Sequence, residues 1–363
     1  MKDSRQEILA RILVEYSAEV KKGDVVMVDW TDGTPLEFVR EIQTVCLERG
    51  AKYVRLSYSH SDLVYNYFRR ASREQLGYFP QHELDFLKAA DAYIGIGSPL
   101  NSQALSAIPA KVLSARSRLL RPILDQRVNH TRWVITRYPT QSQAQDAGMS
   151  FEEFEEFYFK ACNADWAKES ERQDALKRLL AKSTQVRILA PDTDLSFSIA
   201  GMPAIKCDGK RNMPDGEVYT APVKTSAEGT IRFNAPTVYQ GKVFSGIALE
   251  FKKGKIVKAD AEQGGEHLAD ILDVDAGARY LGEFSFGLNR RIVRPMHSIL
   301  FDEKIAGSIH LAAGAAYQIC DNGNRSAIHW DMIRLMKDGE IYLDGVLVQK
   351  GGLFQLPELK PLN

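Results

Sequence analysis

From residue 23 to about 138, short β-branched runs alternate with helical patterns, and that alternation leaves few folds open. "GDVVMVDW" leads to "PLEFVREIQTVCLERGA" and then "KYVRLSY", while "DAYIGIGS" is followed by "NSQALSAIPAKVLSARSRLL" and "RWVITRYP". Strands separated by helices predict a parallel sheet wrapped by helices. The helix in "TDGTPLEFVREIQTVCLERGAK" carries its own punctuation, with Thr34 and Pro35 at its start and Gly50 at its end. Residues 151–183 contain neither Gly nor Pro and follow Ser150, with Glu153 three residues on, the spacing of a capping box. This long helical stretch is expected to close an N-terminal α/β domain, residues 1–183.

Beyond it the texture changes. "VRILAP", "LSFSIAG", "EVYTAP", "TIRFNAP" and "KVFSGIALEFKKGKIVKADAE" are short strand patterns separated by Gly, Pro, Asn and Asp. They predict a C-terminal α+β domain, residues 184–363, with antiparallel sheet and a hairpin turn at Gly254. Helical stretches are expected near 265–280 and 302–319. The chain as a whole is of the α/β class.

Lys plus Arg and Asp plus Glu both number 47, so the formal charge is zero, which removes the electrostatic footprint of a nucleic-acid or anionic-membrane binder. No apolar run approaches the roughly 18 residues of a membrane span, and a cytoplasmic protein is expected. The four cysteines, Cys46, Cys162, Cys207 and Cys320, lack C-x-x-C spacing and read as reduced, mostly buried thiols. "GIGSPL" at 95–100 lacks the third glycine of a dinucleotide fingerprint and carries Pro99 instead.

The chemistry-bearing residues gather in the second half. In "SAIHWDMI", His329 and Asp331 stand two apart, and on a strand they share a face, with Trp330 turned to the other side to pack. Alone, such a pair reads as solvent-facing. In "LFDEKIAGSIHLAAGAAY" a buried helix opening at Asp302 and Glu303 would align His310, Gly314 and Tyr317 on one side. An imidazole buried there needs a hydrogen-bond partner or a metal. Glu217 follows the turn Pro214-Asp215-Gly216 as the first residue of a strand, and Glu283 lies between Gly282 and alternating aromatics. Glu217, Glu283, His310, His329 and Asp331 together offer three carboxylates and two imidazoles. That is too many negative oxygens for a single catalytic zinc and suits two divalent ions sharing a carboxylate and a water, an arrangement made for hydrolysis.

At these residues the sequence resembles the aminopeptidase T / PepS family of metallo-aminopeptidases, peptidase family M29. The matching segments are "NMPDGEVYTAP", "LGEF", "ILFDEKIAGSIHLAAGAAY" and "NRSAIHWDM", in the family's order, and the resemblance extends through the N-terminal half. It implies that Glu217, Glu283, His310, His329 and Asp331 ligate two metals (Zn, Co, Mn or Mg) and that Tyr317 and Glu283 serve catalysis. The implied activity is removal of the N-terminal residue from peptides with a free N-terminus. Tyr317 would donate a hydrogen bond to the developing oxyanion. Arg325, Ser326 and Asn212 are candidates to support the ligands. The family also implies a homodimer whose N-terminal domain helps enclose the site.

Two rivals are worth stating. His310, His329 and Asp331 form a two-histidine, one-carboxylate set of the kind that holds Fe(II) in ring-cleaving dioxygenases of the dihydroxypyridine type, but Glu217 and Glu283 would crowd the open positions such a centre needs. A non-catalytic protein with structural metals would favour a closed, cysteine-rich shell.

Overall fold

The computed structural model describes residues 3–363, and the chain divides into two compact units. The first runs up to Ala164 and includes Gly209–Pro214; the second takes Asp165–Asp208 and Asp215–Asn363. The division therefore falls inside the stretch expected to be one long helical element. That stretch is two helices, Phe151–Cys162 and Trp166–Lys182. The first opens with the expected capping box, Ser150 and Glu153 each accepting from the other's backbone N–H. It stops where Asn163 leaves helical geometry, and Asp165 restarts a helix by accepting from the N–H of Lys168. Leu176 and Leu180 of the restarted helix belong to the core of the second unit.

In the first unit the alternation builds what it predicted. Five strands lie in the order Tyr53–Ser59, Val25–Thr31, Ala92–Ile96, Arg132–Thr136 and Asn212–Met213, every pair parallel. Val26, Val28, Ile94, Ile96 and Val134 are buried, as expected for strands covered on both faces. The helix Leu36–Glu48 follows the strand Val25–Thr31, with Pro35 rather than Thr34 at its cap position and Gly50 in the left-handed region after it.

The second unit packs two antiparallel sheets around one core. The larger has eight strands in the order Lys255–Asp260, Ala248–Lys252, Glu228–Arg232, Thr193–Ser198, Gln185–Ala190, Glu340–Leu343, Val346–Lys350 and Leu353–Phe354. Its first two form the expected hairpin, with Lys253 and Gly254 both at positive φ. The smaller runs His329–Leu335, Ser308–Gly314, Leu281–Gly287, Glu217–Thr220 and Ile205–Cys207. The core takes Val186, Ile188, Leu195 and Phe197 from the larger sheet and Val218, Phe284, Phe286, Ile309, Leu311, Trp330 and Met332 from the smaller. Because side chains alternate along a strand, the same pattern that sends these residues inward turns Glu217, Glu283, His310, His329 and Asp331 to the opposite face.

Two helical expectations are corrected here. The segment 302–319 is not a helix: Ser308–Gly314 is a central strand, hydrogen-bonded on both sides, and the helix beside it, Ile299–Asp302, ends where the longer one was expected to begin. A strand covered on both faces is apolar throughout and has no period of two to mark it, so its alanines read as helix. Near 265–280 only a turn of 3₁₀ helix, Gly265–His267, and the short helix Leu268–Leu272 form. Among the described residues no helix is long and apolar enough to cross a membrane.

Trp330 lies in the core, stacked on Tyr239 at 5.1 Å and against Phe244 at 4.8 Å. Replacing it with alanine should lower unfolding free energy by about 3–5 kcal/mol, the usual cost of deleting a large buried side chain. Denaturant titration reads this directly, and a loss below about 1 kcal/mol would show that Trp330 does not hold the sheets together.

Candidate metal centre

The smaller sheet lines up the acidic and imidazole side chains in successive strands. In register, Glu283 and Asp331 both stand opposite Ala312, one on each side of the central strand. A methyl group at that position leaves the two carboxylates room to approach each other over it. The register shifts between Leu281 and Glu283, a bulge that re-aims Glu283. Gly314, opposite His329, sits at φ +108°, and a Cβ there would fall 2.2 Å from the carbonyl of Ile328. Only glycine lets the strand end in this way.

His310 Nε2 lies 3.1 Å from Glu283 Oε1, 3.5 Å from Glu217 Oε2 and 3.9 Å from Asp331 Oδ1. His329 Nε2 lies 3.4 Å from both Glu283 Oε2 and Asp331 Oδ1. Each ring is fixed from behind: His310 Nδ1 bonds the carbonyl of Glu303 at 3.2 Å, and His329 Nδ1 bonds that of Ala315 at 2.7 Å. A carbonyl only accepts, so both Nδ1 atoms carry the proton and both Nε2 atoms face carboxylate oxygens. Such contacts are repulsive unless a proton or a cation stands between them. Nδ1 bound to a backbone carbonyl with Nε2 aimed at the centre is how metal-binding histidines are oriented. Glu283 Oε2 and Asp331 Oδ1 are buried yet accept no hydrogen bond. These donors fit divalent cations.

The donor atoms fall into overlapping groups: Cys207, Asp215 and Glu217; Glu217, Glu283 and His310; Glu283, His329 and Asp331; and Glu303, His310 and Asp331. Glu217, Glu283, His310 and Asp331 each belong to two, and Glu283 is the residue shared by the two groups drawn wholly from the sequence-predicted set. The sequence-predicted set is thus brought together complete. Tyr317 is beside it, its ring 4.7 Å from that of His329 and 5.8 Å from that of Tyr219, half-exposed and outside any strand or helix. It does not share a helix face with His310. It reaches the site because the chain turns back after Gly314, held by Asn324, whose amide donates to the carbonyls of Gly314 and Gly277.

Arg325 and Ser326 are committed elsewhere, Arg325 to Asp321 at 2.5 Å and Ser326 to Asp275 at 2.9 Å. Asn212 belongs to the first unit, in the strand beside Arg132–Thr136. Sequence reading missed Lys304. Its side chain is fully buried, with Nζ 2.8 Å from Glu217 Oε1, 3.8 Å from Asp215 Oδ1 and in direct contact with Glu303. The one signal available was a lysine directly after Asp302 and Glu303, between the apolar stretches Ile299–Phe301 and Ile305–Ala306.

Electrostatics follow from this crowding. Burial opposes the imidazolium of His310, but the hydrogen bond to Glu283 and the charges of Glu217 and Asp331 outweigh it and push its pKa up to about 9. His329 is driven well above its usual value in the same way, against burial, by Asp331 and Glu283. Burial opposes the carboxylates of Glu283 and Asp331 too, yet the imidazoles hold both below the ordinary range. Burial raises Glu303 to about 8, only partly offset by Lys304.

The chain matches the model of the M29 family, described as thermophilic metalloproteases, over residues 2–347, and it belongs to that family. Aminopeptidase 2 of Geobacillus stearothermophilus is 27% identical over 390 residues, covering 93% of this chain and 92% of that protein. Aminopeptidase T of Thermus thermophilus is likewise 27% identical, with 94% of each chain covered, and aminopeptidase PepS of Streptococcus thermophilus is 26% identical over the same shares. The solved structure of wild-type AmpT from Thermus thermophilus superposes with a TM-score of 0.86 over 97% of this chain and 99% of that one, a likeness of fold at 24% identity.

The raised pKa of His310 makes a stability prediction for chelator-treated protein. A group charged more readily when folded than when unfolded contributes fully below its unfolded pKa of about 6.5 and loses that contribution as pH rises through the folded value. The Tm of metal-stripped protein should therefore fall between pH 7 and pH 10, and by more than that of protein loaded with divalent metal. A flat or rising Tm over that range would contradict the arrangement of charges described above.

Proposed function

We propose that this chain is a metal-dependent aminopeptidase that releases the N-terminal residue of peptides at a two-metal centre. The observation that carries this reading is the convergence of Glu217, Glu283, His310, His329 and Asp331 into overlapping donor groups, with Glu283 shared by the Glu217/His310 and the His329/Asp331 groups, so that these residues would hold two ions between them. When bound, a pair of divalent ions supplies a hydroxide at neutral pH and Lewis-acid contacts for the free α-amine and the scissile carbonyl. Glu217, Glu283, His310, His329 and Asp331 would hold them. The carbonyls of Glu303 and Ala315 fix which imidazole nitrogen faces the ions. Tyr317, half-exposed and resting on His329, donates its phenolic hydrogen to the oxyanion that forms on the carbonyl.

Membership of a metalloprotease family and the names of the full-length relatives support the reading. The Fe(II) alternative gains nothing from the geometry, because Glu217 and Glu283 both crowd the Nε2 of His310, where an oxygenase needs open coordination.

Protein stripped of metal and reloaded with Zn, Co, Mn or Mg should release amino acids from unblocked dipeptides and leave their N-acetylated forms intact. Equal cleavage of both would sink the aminopeptidase assignment. Glu283→Gln should lower kcat by at least about a hundredfold with the fold intact by circular dichroism, since it removes charge from both metal positions. Tyr317→Phe should lower kcat by about 10²–10³, the usual cost of losing an oxyanion donor, with little change in KM.

A further inference from the structure

The two donor groups are not equivalent, and the difference lies in Lys304. On the His329 side, Glu283 Oε2 and Asp331 Oδ1 are buried and accept no hydrogen bond. On the His310 side the carboxylates are already engaged. Glu217 gives Oε1 to Lys304 at 2.8 Å and Oε2 to the hydroxyl of Ser285 at 3.1 Å, and Glu303, one of the carboxylates grouped with His310, contacts the same ammonium. Lys304 is fully buried, so its charge is little screened by solvent and acts on whatever lies beside Glu217.

We propose that Lys304 is a resident counter-cation that sets the loading order of the centre: the Glu283/His329/Asp331 position binds its ion first and tightly, and the Glu217/His310 position binds second and more weakly. The inference rests on the two-ion reading given above. Three physical effects act together. A cation beside Glu217 repels a second cation there. The Lys304-bound oxygen is withheld, so Glu217 offers the ion one oxygen rather than two. Lys304 also lies 3.8 Å from Asp215 and in contact with Glu303, so its positive charge is concentrated on this side of the centre. Lys304 touches neither substrate nor ion in this scheme and is a positioning residue.

The test is a Co(II) titration of the metal-stripped full chain, followed by calorimetry and by visible absorption. Wild-type protein should show two steps, the second at least about tenfold weaker, which is about 1.4 kcal/mol. Lys304→Met should tighten the second step by about tenfold and leave the first within about threefold. Two steps of equal affinity in the wild type, or an unchanged or weakened second step in K304M, would overturn the proposal. If K304M does not fold, Glu217→Gln serves instead: it should keep the first step and its absorption spectrum and lose the second. Loss of the tight step in E217Q would overturn the loading order. Uptake of one ion per wild-type chain would overturn the two-ion reading and this one together, whereas two ions of equal affinity would overturn this one alone.

Discussion

Three carboxylates and two imidazoles share one face of a single sheet, joined there by Asp215, Glu303 and Lys304 from the flanking turns, and the rest of the second unit is arranged around the cost of putting them there. Removing an ion from water costs several kcal/mol even after relaxation, and only close countercharges and hydrogen bonds offset it. Several groups here have such an offset: Lys304 for Glu217 and Glu303, the hydroxyl of Ser285 for Glu217, backbone carbonyls for the Nδ1 atoms of His310 and His329. Glu283 Oε2 and Asp331 Oδ1 have instead the Nε2 of His329, 3.4 Å from both, as their near countercharge. A divalent cation taking the place of the imidazole protons would meet the same oxygens.

The fold supports this in a simple way. A two-sheet core with Phe197 against Phe284 at 5.1 Å and Trp330 between Tyr239 and Phe244 fixes the inward faces of the strands. Strand alternation then places the ligands on the other face without further specification. The bulge before Glu283 and the small side chain at Ala312 adjust the two carboxylates that must meet. The geometry of the centre is thus inherited from a rigid apolar scaffold rather than from flexible loops, the condition under which a site holds its preorganisation. Tyr317, on a turn, is the exception.

How much of this was legible in the sequence depended on whether a local rule had an observable period. His329 and Asp331 were placed correctly on one face, with Trp330 on the other, because a half-buried edge strand alternates. Glu217 at the start of its strand followed from the turn at Pro214–Gly216, and the parallel sheet of the first unit followed from strand and helix alternation. His310 was found as a residue but placed on a helix, because the central strand Ser308–Gly314 is buried on both faces and rich in alanine. Asn163–Asp165 broke the 151–183 helix without Gly or Pro, through backbone geometry and a new cap that composition does not register. Lys304 was invisible for a different reason. A lysine announces itself as buried only when its partners are known, and Asp215, Glu217 and Glu303 come to it through the fold.

The central claim is that Glu283 stands between two cations. Anomalous scattering from crystals of the protein loaded with zinc, measured at the zinc edge, tests it most directly. The account predicts two peaks per chain on either side of the Glu283 carboxylate, one beside His310 and Glu217 and the other beside His329 and Asp331. A single peak, or peaks away from these side chains, would contradict it.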